Sequence, residues 1–218
     1  MRTILVLNPK GGSGKSTVAM NIAGHFALRG QRVALVDCDP QASCVDWLAV
    51  RPDRAPAIQP ADVVAGKLRV PRGTEVAVID TPAAVHGQRL VKFVQTSETM
   101  VIPMQPSPVD MRAAERFITE LFSLRKLIRR KIKLATVANR VREDTLVAAS
   151  LEEYLGALKL PGGQRLPFMT ALRNSQNYVH AAERGLTVFE FAPSRTAIDR
   201  EQWQPLLRWL SSNRSIPA

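Results

Sequence analysis

Short apolar segments recur along the chain and alternate with stretches of helical periodicity. The segments are Ile4 to Leu7, Val33 to Val36, Val76 to Ile79, Met100 to Met104 and Leu134 to Ala138. Continuous apolar runs of this length are typical of parallel strands that are buried on both faces. The alternation therefore predicts an α/β fold, a doubly wound and mostly parallel sheet with helices on both faces.

Two helix boundaries have a clear chemical signal. The periodicity of 15–28 predicts a first helix that stops at Arg29-Gly30, because a basic last turn followed by glycine commonly ends a helix. Ser107-Pro108 predicts the start of a later helix, with serine as the N-cap and proline at the first helical position. Apolar residues mark one face of that helix, which leads into a basic cluster: Phe117, Ile118, Leu121, Phe122 and Ile128.

The rest of the chain is less regular. Further helices are predicted near 144–158, 173–184 and 198–211, whereas 50–75 contains four prolines and gives no readable pattern. With 218 residues and 45% hydrophobic content, the chain can bury a substantial core, and we expect one domain over 1–218. No apolar run reaches the ~18 residues of a membrane span, so we expect a cytoplasmic protein.

Cysteine content and charge narrow the function classes. Cys38 and Cys44 are too few for a disulfide framework or a cysteine-rich metal site in one chain, and we expect reduced thiols. The formal net charge is +11, and residues 112–142 hold ten Lys/Arg against two acids, a net +8. Such a concentration favours a polyanion, nucleic acid rather than anionic lipid, as partner. A solvated helix face is the alternative.

A glycine-rich stretch follows the first predicted strand directly. A strand, a glycine turn and a helix in this order point several N–H groups at one place, where a phosphate lies against the positive end of the helix. The glycines permit the turn, the lysine before the hydroxyl residues supplies charge to the β/γ-phosphates, and the serine hydroxyl supplies a Mg²⁺ ligand. A turn without a ligand is the alternative reading. The predicted nucleotide contacts are Lys10, Gly11, Gly12, Ser13, Gly14, Lys15, Ser16 and Thr17.

The stretch departs from the standard pattern G-x-x-x-x-G-K-[ST], because Pro9 stands at its first glycine and Lys10 follows. It resembles the deviant Walker A motif K-G-G-x-x-K-[ST] of the ParA/MinD family of P-loop ATPases. The resemblance implies that Lys10 reaches across a dimer to the nucleotide held by the other subunit. Lys10 and Lys15 are then both expected to act in ATP hydrolysis.

Two aspartate motifs extend the resemblance. Asp37-Cys38-Asp39-Pro40-Gln41 is similar to the family's switch I motif D-x-D-x-Q, which implies that Asp39 orients or deprotonates the attacking water while Asp37 supports the Mg²⁺ shell. A turn-forming Asp-Pro is the alternative reading of Asp39. Asp80-Thr81-Pro82 closes an apolar strand like a Walker B motif, so Asp80 is expected to hold Mg²⁺ through water. The family usually has a second proline where Ala83 stands.

The C-terminal half adds a base contact. Residues 134–140 resemble the family's strand that ends in asparagine, which implies that Asn139 contacts adenine. Pro167 is expected to contact the nucleotide as well. The segment from Arg173 to Pro193 is similar to the family's later helix and closing proline. The resemblance extends from about residue 2 to about residue 200 and is weakest at 50–75.

The family resemblance implies a cycle of ATP-driven positioning. Mg-ATP bridges two copies into a homodimer, the dimer binds DNA non-specifically, and hydrolysis, stimulated by a ParB-like or other adaptor, releases it. The cargo is a plasmid, a chromosome region or a protein compartment, and the protein is nucleoid-associated. From the basic segment we expect DNA contacts by Arg125, Lys126, Arg129, Arg130 and Lys131. A rival patch nearer the C-terminus comprises Arg173, Arg195 and Arg200.

Sequence features argue against three other functions. A MinD-like membrane-associated ATPase would attach through a C-terminal amphipathic helix, and Pro205 inside the last predicted helix argues against it. Among metabolic P-loop enzymes, Lys10 argues against a dethiobiotin-synthetase-like protein, and the cysteine count and spacing argue against a nitrogenase-type reductase. A bacterial tyrosine kinase would carry a terminal tyrosine cluster, whereas the tyrosines are Tyr154 and Tyr178.

Overall fold

The computed structural model describes residues 1–64, 67–124, 132–142, 146–159, 163 and 165–217. The strands are β1 (Arg2–Val6), β2 (Val33–Asp37), β3 (Ile58–Val64), β4 (Lys67–Arg69), β5 (Val76–Asp80), β6 (Thr99–Met104), β7 (Lys133–Val141) and β8 (Phe168–Arg173). The helices are α1 (Lys15–Leu28), α2 (Ser43–Ala49), α3 (Gly87–Gln95), α4 (Pro108–Ser123), α5 (Leu146–Ala157), α6 (Gln176–Ala182) and α7 (Ala197–Leu210).

The eight strands form one sheet in the order β4-β3-β2-β5-β1-β6-β7-β8. All neighbouring pairs are parallel except β3 and β4, which are antiparallel. This arrangement confirms the predicted mostly parallel sheet. Because parallel strands end at the same edge of a sheet, the segments that follow β1, β2, β5, β6 and β7 meet there.

Each face of the sheet is covered by helices, which confirms the doubly wound architecture. Ile4 and Val6 face a core shared with buried residues of α1, α2 and α7, Trp203 among them. Leu5 faces a second core, shared with α3, α4 and α5. Alternate residues of β1 therefore pack into opposite cores, which explains why the sequence of this strand is a continuous apolar run.

Several predicted elements have the bounds that the sequence indicates. α1 spans the expected 15–28, and Gly30 follows it with a φ of 77°. Ser107 caps α4 by accepting a hydrogen bond from the Asp110 N–H, with Pro108 at the first position. The apolar face of α4 is buried at Phe117, Ile118 and Leu121, whereas Ile128 lies outside the described residues.

The helix predicted over 173–184 is wrong at its start. Residues 168–173 form β8 instead, because they complete the hydrogen bonding of β7, and α6 begins only at Gln176. The unreadable region contains β3 and β4, with Pro60 inside β3. Pro60 lies opposite Leu35 of β2, whereas β4 pairs only with residues 62–64 of β3, so among the described residues Pro60 has a strand neighbour on one side only, as prolines in sheets commonly do. α2 and α3 are short helices that the periodicity did not predict.

Both cysteines are free, as expected. Among the helices of the described residues, none combines the length and the apolar character that crossing a bilayer requires.

Candidate functional site

The loop between β1 and α1 has the conformation of a phosphate-binding loop. Gly12 and Gly14 have φ angles of 78° and 82°, in the left-handed region that favours glycine. α1 begins at Lys15, directly after Gly14. The first N–H groups of the helix have no acceptor within it, and together with the helix dipole they favour an anion at this point.

Asn139, near the end of β7, packs against this loop. Its Nδ2 donates to the Ser13 carbonyl at 2.8 Å, and a Cβ built on Gly14 would lie 2.2 Å from that nitrogen. β7 has a register irregularity here, and Arg140 takes a φ of 56°. Irregularities of this kind re-aim side chains at the ends of strands. The structure thus brings Asn139 to the loop, and its contact with adenine stays a prediction.

The two lysines of the loop lie in different surroundings. Lys15 is 6% exposed, and its Nζ donates to the Lys10 carbonyl at 3.3 Å. Burial lowers the pKa of Lys15, while the charges of Asp80 and Asp39 act to raise it. The Lys10 Nζ instead pairs with Asp110 Oδ2 at 2.6 Å. Lys15 therefore lies inside the loop, whereas the Lys10 side chain is directed at α4.

Asp37 and Asp80 end adjacent parallel strands and lie side by side in register. Asp37 Oδ2 accepts from the N–H groups of Cys44 and Val45 at 2.8 and 3.2 Å, and its Oδ1 accepts from the Asp39 N–H at 3.0 Å. The Cys44 Sγ donates to Asp80 Oδ2 at 3.5 Å. Cys44 thus contacts both carboxylates, one through its N–H and the other through its thiol.

Asp80 has the properties of a metal-binding carboxylate. It is fully buried, and its Oδ1 has no hydrogen-bond partner among the described residues. Burial raises the pKa of Asp80 to about 6, and a hydrogen bond with Ser16 acts in the opposite direction. A buried carboxylate oxygen beside a serine hydroxyl fits Mg²⁺, which prefers oxygen ligands and keeps several waters. Within the described part of the chain, no cluster of three or more His, Cys, Asp or Glu side chains could hold a metal, so phosphate and water would supply the other ligands.

Asp39 lies in the turn after β2. It is half-buried, and its Oδ1 accepts from the Gln41 N–H at 3.0 Å. Asp39 therefore does stabilise a local turn, as its alternative reading proposes. Its charge also acts to raise the pKa of Lys15. A role toward an attacking water stays a prediction.

The segment after β5 lies against the phosphate loop and is held by α4. The Ala84 N–H donates to the Pro9 carbonyl at 2.7 Å. Farther along, Glu120 of α4 accepts from the Gly87 N–H at 2.8 Å and lies 2.6 Å from His86 Nδ1. This segment thus contacts the phosphate loop at one end and α4 at the other.

Sequence reasoning missed several residues that hold the phosphate loop. Gln105 Nε2 donates to the Gly12 carbonyl at 2.9 Å, and Asp110 pairs with Lys10. The spacing of Ser107 and Asp110 resembles a capping box, which would have placed Asp110 in the first turn of α4. Its partner Lys10 lies 100 residues away in the sequence, and no local signal predicts that contact.

The structure does not bring Pro167 to the phosphate loop, and its contact with the nucleotide stays a prediction. It precedes β8, and its carbonyl accepts from the Thr136 N–H at 2.8 Å. Since Thr136 lies in the middle of β7 and β8 runs parallel to β7, Pro167 lies toward the amino ends of the strands. The phosphate loop lies at the carboxyl ends.

Of the two expected DNA-binding patches, the structure describes the C-terminal one and not the basic cluster after α4. All five members of the first patch lie outside the described residues: Arg125, Lys126, Arg129, Arg130 and Lys131. In the rival patch, the Arg173 guanidinium pairs with buried Asp199 at 2.7 Å, and Arg200 donates to backbone carbonyls, including that of Phe189 at 2.7 Å. These two arginines are engaged within the fold and half-buried, so Arg195 is the exposed member of the rival patch.

The parallel sheet, the glycine loop before α1 and the aspartates at neighbouring strand ends define a P-loop nucleotide-binding domain. A family model described as the CobQ/CobB/MinD/ParA nucleotide binding domain matches residues 4–188. The chain therefore belongs to this family.

Individual relatives agree with this assignment. The maintenance of carboxysome distribution protein A of Gloeobacter kilaueensis is 30% identical over 195 residues, covering 87% of this chain and 85% of that protein. The chromosome-partitioning ATPase Soj of Thermus thermophilus is 25% identical, covering 89% and 90%. The solved structure of apo McdA from Cyanothece has a TM-score of 0.77 at 14% identity, covering 97% of this chain and 100% of that one, and supports the fold alone.

Proposed function

We propose that this protein is a ParA-type ATPase that positions a cargo on the nucleoid. Mg-ATP binds at the phosphate loop with Ser16, Asp37 and Asp80 on the metal side, and bridges two copies into a dimer. The dimer binds DNA without sequence preference, and an adaptor stimulates hydrolysis. A cargo of the kind named in the relatives, a protein compartment or a chromosome region, fits this proposal.

The observation that carries the proposal is the separation of the two lysines. Lys15 occupies the interior of its own loop, which leaves Lys10 redundant for that phosphate site. Lys10 is 35% exposed at its side chain and lies at the outer start of the loop. A cation in that position is suited to neutralise charge on a nucleotide that approaches from outside, and stabilising charge at a transferring phosphoryl group contributes several kcal/mol.

Replacing each lysine tests this assignment. Lys15→Ala should lose nucleotide binding, because it removes the charge inside the loop. Lys10→Ala should retain nucleotide binding within about threefold and lose ATP-dependent dimerisation and hydrolysis. Lys92→Ala, at an exposed position of α3, is the matched control. Nucleotide affinity, light-scattering mass and phosphate release should be measured on each, and normal turnover in Lys10→Ala would exclude Lys10 from the site.

DNA binding is proposed for the basic segment. Its described members at 112, 116, 133, 140 and 142 are all exposed, and the remainder lies between α4 and β7. A dimer presents the segment twice, and each phosphate contact adds about 0.9 to the salt slope on duplex DNA. Binding should therefore depend on ATP and fall steeply with ionic strength.

A triple charge reversal tests where the DNA lies. The variant Arg129→Glu, Arg130→Glu and Lys131→Glu should lose DNA binding in gel-shift assays while keeping ATP binding and dimerisation. Arg195→Glu is the control from the rival patch. Full DNA affinity in the triple variant would move the contact elsewhere, and loss only in Arg195→Glu would favour the rival patch.

A MinD-like attachment to membranes is the second candidate, and α7 argues against it. The large apolar residues of this helix are buried in the core, including Trp203, Leu206 and Leu210. Their burial removes the apolar face that a membrane-binding helix would need. Sedimentation with anionic liposomes and ATP separates the candidates, since the ParA-type reading expects the protein to remain in the supernatant.

A further inference from the structure

We infer that Asp110 is a positioning residue that holds Lys10 in a stored position within its own subunit, so that Lys10 engages a second nucleotide only when this ion pair opens. The inference rests on the proposed function of Lys10. It adds a contact that opposes dimerisation, since Lys10, the lysine that would join two subunits, is already paired with a carboxylate of its own subunit.

The geometry around Lys10 gives its side chain a defined partner. Its N–H donates to Asn8 Oδ1 at 2.9 Å, and Asn8 Nδ2 donates to the Pro103 carbonyl at 2.7 Å, which fixes the backbone between β1 and β6. From there the Nζ reaches Asp110 Oδ2 at 2.6 Å. This is a short, charge-assisted contact rather than a loose surface pair.

The carboxylate has a support that does not depend on Lys10. Asp110 is 4% exposed and lies in the first turn of α4, where its N–H donates to the Ser107 Oγ at 3.1 Å. The Ser107 hydroxyl also contacts Asp110 Oδ2. The positive end of the helix and the hydroxyl both stabilise the negative charge. Asp110 therefore keeps contacts within its own helix turn that do not involve Lys10.

The same segment holds the phosphate loop at a second point, because Gln105 donates to the Gly12 carbonyl. Residues 105–110 thus contact both the loop backbone and the loop lysine. The contact between α4 and Lys10 sets part of the free-energy difference between a monomer with Lys10 stored and a dimer with Lys10 released.

Asp110→Asn tests the stored position. The amide keeps the size and an accepting oxygen but lacks the charge, so Lys10 should be released more easily. ATP-dependent dimerisation should then occur at about three- to tenfold lower protein concentration, as expected for loss of one charge-assisted pair that is partly exposed. Ser107→Ala is the control, since it weakens the cap without removing the charge.

A second measurement examines the ion pair without relying on dimerisation. Acetylation of lysines by acetic anhydride in nucleotide-free protein, followed by peptide mass spectrometry, should label Lys10 more slowly than exposed Lys92, and Asp110→Asn should remove that difference. Equal labelling in the parent would overturn the storage inference even if Lys10 acts in dimerisation.

The measurement of dimerisation separates the proposed function of Lys10 from the inference that Asp110 holds Lys10 in a stored position. Weaker or unchanged dimerisation in Asp110→Asn, with the melting temperature preserved, would overturn the inference. ATP-dependent dimers in Lys10→Ala would overturn the proposed function instead.

Discussion

Asp80→Asn should stabilise the protein when nucleotide and Mg²⁺ are absent. The carboxyl group is fully buried with one oxygen unpartnered among the described residues, and burial raises its pKa from 3.8 to about 6. Above pH 6 the folded protein therefore carries a negative charge that the unfolded chain accommodates more easily. A tenfold change corresponds to about 1.4 kcal/mol, so the charge lowers the free energy of unfolding by up to ~3 kcal/mol.

The sign of the pH dependence follows from proton binding. Between about pH 4 and pH 6 the folded state keeps the Asp80 proton that the unfolded state releases, so the stability of the parent falls as pH rises through this window. Asparagine does not titrate. The free energy of unfolding of the variant should therefore exceed that of the parent by an amount that grows between pH 4 and pH 6 and stays constant above pH 6.

Thermal unfolding at a series of pH values measures this difference. For a chain of this length, ~3 kcal/mol corresponds to a rise of roughly 6 to 12 °C in Tm at pH 7.5. Saturating Mg-ATP should raise the Tm of the parent more than that of the variant. Asp37→Asn is a control that should lower the Tm, because it puts an amide where a carboxylate accepts hydrogen bonds from three backbone N–H groups. A lower Tm for Asp80→Asn at pH 7.5, or an equal gain at pH 4 and 7.5, would refute the reasoning.

Three further substitutions have defined outcomes. Gly14→Ala should lower nucleotide affinity at least tenfold in fluorescence titrations, because a Cβ would lie 2.2 Å from Asn139 Nδ2 at a left-handed φ, whereas unchanged affinity would contradict the packing. Asp39→Ala should keep ATP bound and the dimer closed while slowing phosphate release, and parental turnover would remove Asp39 from the reaction. Gly185→Ala should destabilise the fold by more than ~2 kcal/mol in urea, because its Cβ would lie 2.3 Å from the Arg51 Cα, and a parental midpoint would contradict this.

The parts of the fold that the sequence predicts are those with local causes. α1 has its expected bounds because its start at the glycine loop and its stop at Gly30 are both encoded within a few residues. The strand at 168–173 is not predicted, and the helix predicted from 173 begins only at Gln176, because β8 forms through pairing with β7, a contact that periodicity does not contain. The same distinction holds at the site, where the motif residues are local and the Lys10–Asp110 pair joins distant segments.

The arginines illustrate a second limit. The family resemblance predicts a DNA-binding patch near the C-terminus that includes Arg173 and Arg200, yet buried Asp199 and backbone carbonyls engage these two arginines within the fold. A sequence records how many charges a segment carries, and the fold decides which of them face solvent.

α2 has a mechanical consequence beyond its length of seven residues. Near its start, Cys44 contacts both strand-end carboxylates. Near its end, Trp47 Nε1 donates to the Leu186 carbonyl at 3.2 Å, and just after it the buried Arg51 pairs with Glu190 at 2.6 Å. This short helix is thus fixed at both ends. α2 therefore links the two strand-end carboxylates mechanically to residues 186 and 190 through direct contacts.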